Sequence, residues 1–144
     1  MTAVAVDLDA VLGDTRPLWR DWLEDAARRS RVELDLPDDR AAAAEQLDER
    51  IGNWRSLLER FAEERAPVYL RPRPETNALL RRLHAEGVHL GVYTDAPAEL
   101  ARVALAHLGA ARRVEALGTL AEVRAALGDD AVVVRSPDEL AALR

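Results

Sequence analysis

Neither cysteine nor lysine occurs in the 144 residues. Without cysteine there is no disulfide framework, no thiolate nucleophile and no cysteine-based zinc site. Without lysine all 20 basic residues are arginine, so no Schiff base and no amine of tunable pKa is on hand. Aromatic residues make up only 4% of the chain, and the core must therefore be built from Ala, Leu and Val with three Trp as its largest pieces. No apolar run approaches the roughly 18 residues of a membrane span, and no basic segment followed by a long apolar stretch opens the chain. The expectation is a soluble cytoplasmic protein. Acids outnumber bases: the net charge of -6 argues against a nucleic-acid binder, whose phosphate contacts need clustered basic residues, and leaves small polar ligands open.

What is present is an alternation of short apolar runs and helical periodicity. "VAVDLDAVLGDT" (residues 4–15) begins as a buried strand and ends in two acids. In "TRPLWRDWLEDAARRSRV", Leu18, Trp22 and Ala26 predict a helix, with Thr15 as its N-cap and Pro17 in its first turn. Residues 39–65 read as a second, longer helix in which Leu47, Ile51, Trp54, Leu58 and Phe61 step by four and three. That stripe suits a helical hairpin packed on itself or, over roughly two heptads, a coiled coil. "APVYLRPRPE" ends the helical region through its prolines, and "PETNALLRRLHAEG" is a helix stopped by Gly87. "VHLGVYTDAP" is a second strand, residues 97–109 a helix, "RRVEALG" a weak third strand, residues 119–127 a short helix, "AVVVR" a fourth strand and "SPDELAALR" a last helix. Gly128-Asp129-Asp130 reads as a turn.

This order predicts an α/β protein, a three-layer Rossmann-like parallel sheet with right-handed crossovers. Residues 1–14 and 70–144 would form the core, and residues 15–69 a helical-hairpin cap inserted after the first strand. Asp7 and Asp9, then Thr94 and Asp95, then Arg135 and Ser136 would all emerge on the carboxyl edge, where open α/β sheets bind ligands. Two acids two residues apart can divide labour, one attacking as nucleophile while the other moves the proton. A threonine hydroxyl and peptide N–H groups beside them can hold an oxyanion. His84, His89 and His107 share no metal-ligand spacing.

"DLDAVLGDT" resembles the first motif of the haloacid dehalogenase-like (HAD) superfamily, "LGVYTD" resembles its second, and the helical insertion is similar in place to that family's type-1 cap. The resemblance spans residues 3–109. It implies Mg²⁺-dependent hydrolysis of a small phosphate ester through an aspartyl-phosphate. Asp7 would be the nucleophile, Asp9 the general acid and base, and both would take part in holding the metal. Thr94 would bind the phosphoryl group. Asp95 and Arg135, at neighbouring strand ends, are read as further phosphate-binding residues.

Two motifs depart from the pattern. With no Lys, only Arg112, Arg113 or Arg124 can stand for the third motif. In the fourth, Arg135 stands where a metal-binding acid is expected, with Asp138 and Glu139 a few residues late; alternatively the whole fourth motif is deleted. Mg²⁺ affinity would then be weak or nil. Three readings follow: a small phosphatase, a catalytically impaired protein that binds an anionic metabolite or a protein partner, and an interaction module that dimerises through its helices. The phosphatase is read as a monomer or homodimer with a small phosphorylated partner.

Overall fold

The computed structural model describes residues 1–143. Strand β1 (Ala3–Asp7) pairs in parallel with β2 (His89–Tyr93) on one side and β4 (Val132–Val134) on the other. Strand β3 (Val114–Gly118) extends the sheet beyond β2, giving the order β3-β2-β1-β4. The central strand is buried on both faces, which is why Ala3, Val4, Ala5 and Val6 are apolar without alternation. Asp7 lies opposite Tyr93, and Val6 opposite Val134, so Asp7, Thr94 and Arg135 leave the sheet at nearly one level.

Between β1 and β2 run α1 (Arg16–Ser30), α2 (Arg40–Arg50), α3 (Trp54–Tyr69) and α4 (Pro74–Ala85). Then come α5 (Ala98–His107), α6 (Leu120–Leu127) and α7 (Pro137–Ala141). The last helix is shorter than the 136–144 expected, and Arg144 lies outside the described residues. There are two apolar clusters. One joins the sheet to α4, α5 and α7 through Val4, Val92, Leu83, Leu105 and Leu140. The other joins α1, α2 and α3 through Leu18, Trp22, Leu47, Trp54 and Leu58, and takes in Leu100 of α5. The three Trp rings meet in it with centroids 5.5 to 6.4 Å apart.

Two expectations need correction. Residues 39–65 are not one helix: α2 stops at Arg50, and the chain reverses through Gly52 and Asn53, the latter left-handed at φ 63°. The break brings Leu47 and Ile51 of one limb and Trp54 and Leu58 of the other into one cluster with α1, so the insertion has three helices rather than a hairpin of two. Nor does Pro67 end the helix. Helix α3 continues to Tyr69 because Ala66 and Leu70, on either side of the proline, are buried in the sheet cluster while Pro67 itself faces solvent. Among the described residues no helix is long and apolar enough to cross a membrane.

Candidate active site

After Asp7 the chain enters one wide helical turn, Leu8–Leu12, closed by the Gly13 N–H donating to the Leu8 carbonyl at 3.0 Å. Asp7 caps it. Its Oδ1 accepts from the peptide N–H of Asp9 at 3.1 Å and of Ala10 at 3.4 Å. The second oxygen, Oδ2, makes no hydrogen bond among the described residues. Burial pushes the Asp7 carboxyl above its ordinary value, against the lowering effect of the Ala10 N–H; the neighbouring Asp9 charge raises it further. Arg73 steadies the turn from outside, its Nη1 donating to the carbonyls of Ala10 at 3.2 Å and Val11 at 2.8 Å. The arginine-rich stretch before α4 thus holds backbone at one point.

Asp9 has both oxygens engaged. Oδ1 accepts from the Thr15 N–H at 2.9 Å and the Thr15 hydroxyl at 2.6 Å. Oδ2 accepts from Nη2 of Arg40. Thr15 stands at the N-cap position of α1, as expected, but its hydroxyl caps nothing; it is spent on Asp9.

Arg40, at the start of α2, was missed by the sequence reading. It is only 2% exposed. Besides Asp9 its guanidinium donates to Asp95 Oδ1 from Nε at 3.0 Å and from Nη2 at 2.9 Å, and to Thr15 Oγ1 from Nη1 at 2.6 Å. Its peptide N–H donates to Asp95 Oδ2 at 2.9 Å. One arginine from the helical insertion therefore joins the ends of β1 and β2. Burial alone would raise the Asp95 carboxyl, but the Arg40 peptide N–H and guanidinium together hold it below its ordinary value. A signal existed in the sequence: a cation at the first position of a helix opposes the helix dipole and needs a compensating anion.

Thr94 is buried at the end of β2, its Oγ1 accepting from the Ala96 N–H at 3.1 Å and its own N–H donating to the Gly118 carbonyl at 2.8 Å. Asp95 does not cap α5, since both its oxygens face Arg40. Arg135 follows β4 at the level of Asp7, exposed, and among the described residues only its peptide N–H is engaged, by Glu139 at 2.6 Å. The charges felt most at Asp7 are Asp9 and Arg16, while Arg135 is felt at Tyr93. Of the third-motif candidates, Arg112 and Arg113 precede β3 and so lie at the opposite edge of the sheet. Arg124, in α6, has a buried Nε without a hydrogen-bond partner. His89 pairs with Glu115, and His107 Nε2 lies 2.9 Å from the Leu70 carbonyl.

Two cavities open beside this cluster, of about 560 Å³ and 270 Å³. Arg40 and Asp95 line both; Arg16, Trp19 and Arg20 line the larger, and Thr94 and Thr119 the smaller. The side chains do not form a donor set for a resident Mg²⁺. Such an ion wants several hard oxygens in near-octahedral array. Here Asp9 and Asp95 are committed to Arg40, Arg135 follows β4 in place of an acid, and among the described residues no three acids or histidines converge.

No family model matches the sequence, and no curated protein does. Solved structures match by shape. A candidate beta-phosphoglucomutase from Thermotoga maritima superposes with a TM-score of 0.52 at 18% identity, over 86% of this chain and 63% of its own. A HAD phosphatase from Thermococcus onnurineus superposes with a TM-score of 0.52 at 23% identity, over 86% of this chain and 64% of its own. The present chain thus spans less than two thirds of either protein, and at such identities the likeness is one of fold.

Proposed function

We propose that this chain, which has the haloacid dehalogenase-like fold, is a phosphoester hydrolase in which Asp7 attacks the phosphorus of a small phosphorylated molecule. The observation that carries the reading is the unequal treatment of the two acids. Asp7 has one oxygen fixed by two peptide N–H groups and the other uncommitted at the carboxyl end of the central strand, where an aligned nucleophile belongs. Asp9, two residues after Asp7, is anchored by Thr15.

In the first step Asp7 Oδ2 forms a bond to phosphorus as the ester P–O bond breaks, and Asp9 hands a proton to the departing alkoxide. In the second a water, giving its proton to Asp9, attacks the aspartyl-phosphate and frees inorganic phosphate and Asp7. Thr94 and the peptide N–H groups around it would hold the phosphoryl oxygens. The larger cavity, with Arg16, Arg20 and Trp19 in its wall, suits the rest of an anionic substrate. No step is routed through a divalent ion, because the side chains do not supply its donors.

A second reading, binding of a phosphorylated anion without turnover, is favoured by the Arg40 contact to Asp9, which must open before Asp9 can carry a proton. A panel of phosphate monoesters, assayed with Mg²⁺ and with chelator beside Asp7→Asn, decides between them. Release of phosphate that vanishes in Asp7→Asn supports the hydrolase. Saturable binding of inorganic phosphate, with no release from any ester, supports the binder.

A further inference from the structure

We infer that Arg40 is the resident cation of this site: a positioning residue whose guanidinium bridges Asp9 and Asp95 and offsets part of their charge, so that the acidic edge is held together without metal. The phosphoester reading gives this edge its purpose, but the inference rests on the geometry of Arg40 alone.

The acids at the ends of β1 and β2 would repel one another and any incoming phosphate if left bare. A planar guanidinium with five donors can satisfy two carboxylates and a hydroxyl together, which a hydrated ammonium cannot do. Arg40 does so. Its three nitrogens serve Asp9, Asp95 and Thr15, and its side chain is sealed from solvent. A charge so buried is stable only with its partners in place, so the arrangement is a built feature of the fold rather than a surface contact.

The charge comes from α2, whereas the acids belong to the sheet edge, 31 and 55 positions away in the chain. An incoming divalent ion would meet a positive charge, and two carboxylates that already accept from Arg40. Two consequences follow. The site should ignore Mg²⁺, and it should meet an anion with part of its negative charge already offset by protein.

Calorimetric titration of Mg²⁺ into the full chain tests this directly, with Arg40→Gln and Arg40→Lys alongside. The wild type and Arg40→Lys should show no saturable heat at millimolar Mg²⁺. Arg40→Gln, which bares the carboxylates of Asp9 and Asp95, should bind the ion at least about tenfold more tightly than the wild type, since a unit charge a few ångströms away is worth more than that. Tight Mg²⁺ binding by the wild type would overturn the inference without need of any variant. Failure of a folded Arg40→Gln to gain affinity would overturn it too. Should Arg40→Gln not fold, titration of inorganic phosphate into the wild type, with and without chelator, supplies the second measurement. Affinity unchanged by chelator is expected, and its loss would count against Arg40 as the cation. A chain that binds no phosphate at all would cost only the phosphoester reading, because the Mg²⁺ titration decides the role of Arg40 by itself.

Discussion

Asp7 and Asp9 stand two residues apart and are held in opposite ways. Asp7 accepts from two peptide N–H groups, and burial outweighs their lowering effect and raises its pKa; Asp9 meets a threonine and an arginine. Since the nucleophile must be ionised, the acid limb of any pH-rate profile should lie above the ordinary aspartate value of 3.8, a displacement read from initial rates against pH. Asp7→Asn should lower turnover by about three orders of magnitude or more, with binding of inorganic phosphate retained. Undiminished turnover in the purified variant would remove Asp7 from the role. Thr15 is the hinge of the network, giving its proton to Asp9 and accepting from Arg40. Thr15→Val deletes both contacts and leaves Arg40 Nη1 buried without a partner, so unfolding in urea should show a loss of about 1–3 kcal/mol.

At the scale of elements, β2 and α6 approach so closely that Gly91 has no room for a side chain. A Cβ there would lie 2.5 Å from Val123 Cγ1 and 2.8 Å from Leu127 Cδ1. Gly91→Ala should therefore cost about 1–3 kcal/mol through overpacking. Gly52, in the break between α2 and α3, has nothing within 4 Å of the place a methyl group would take and no positive φ, so Gly52→Ala should be neutral or stabilise by about 0.4–1 kcal/mol. Denaturant melts of the pair test both signs at once. Strands β1, β2 and β4 were legible in the sequence as short apolar runs between turn signals, β3 only weakly because Glu115 interrupts it, and the parallel order followed from the helices between them. The break at Gly52 was not, because the four-three apolar stepping runs straight through it: Leu47, Ile51, Trp54 and Leu58 share a cluster by folding back rather than by lying along one helix. Asp7, Asp9 and Thr94 were legible as strand-end residues. Arg40 was hidden, because its partners are remote in the chain and only the tertiary fold brings them to it.

Across the whole molecule, the helical insertion is fastened to the sheet at two kinds of contact. Leu100 of α5 enters the tryptophan cluster, and Arg40 grips the sheet edge through Asp9 and Asp95. The polar fastening is pH-dependent, and its sign can be fixed. The folded-state pKa of Asp95 is depressed by Arg40, so its contribution to stability is fully present above the unfolded value near 3.8 and is lost as pH falls through the folded one. Asp7 acts oppositely: its folded pKa is raised, so it binds a proton more readily folded than unfolded, and its ionisation costs stability as pH rises above 3.8. Thermal melts followed by fluorescence of Trp19, Trp22 and Trp54, which sit together in the insertion, should thus respond differently to the two acids. Asp95→Asn should lower the melting temperature at neutral pH and flatten its fall below pH 4, roughly the range in which the carboxylate would otherwise be lost. Asp7→Asn should raise the neutral-pH melting temperature and steepen the acid fall, because it removes an acid whose protonation favours the fold. An Asp95→Asn curve parallel to the wild type in acid would show that the Arg40 grip does not carry the acid sensitivity of the molecule.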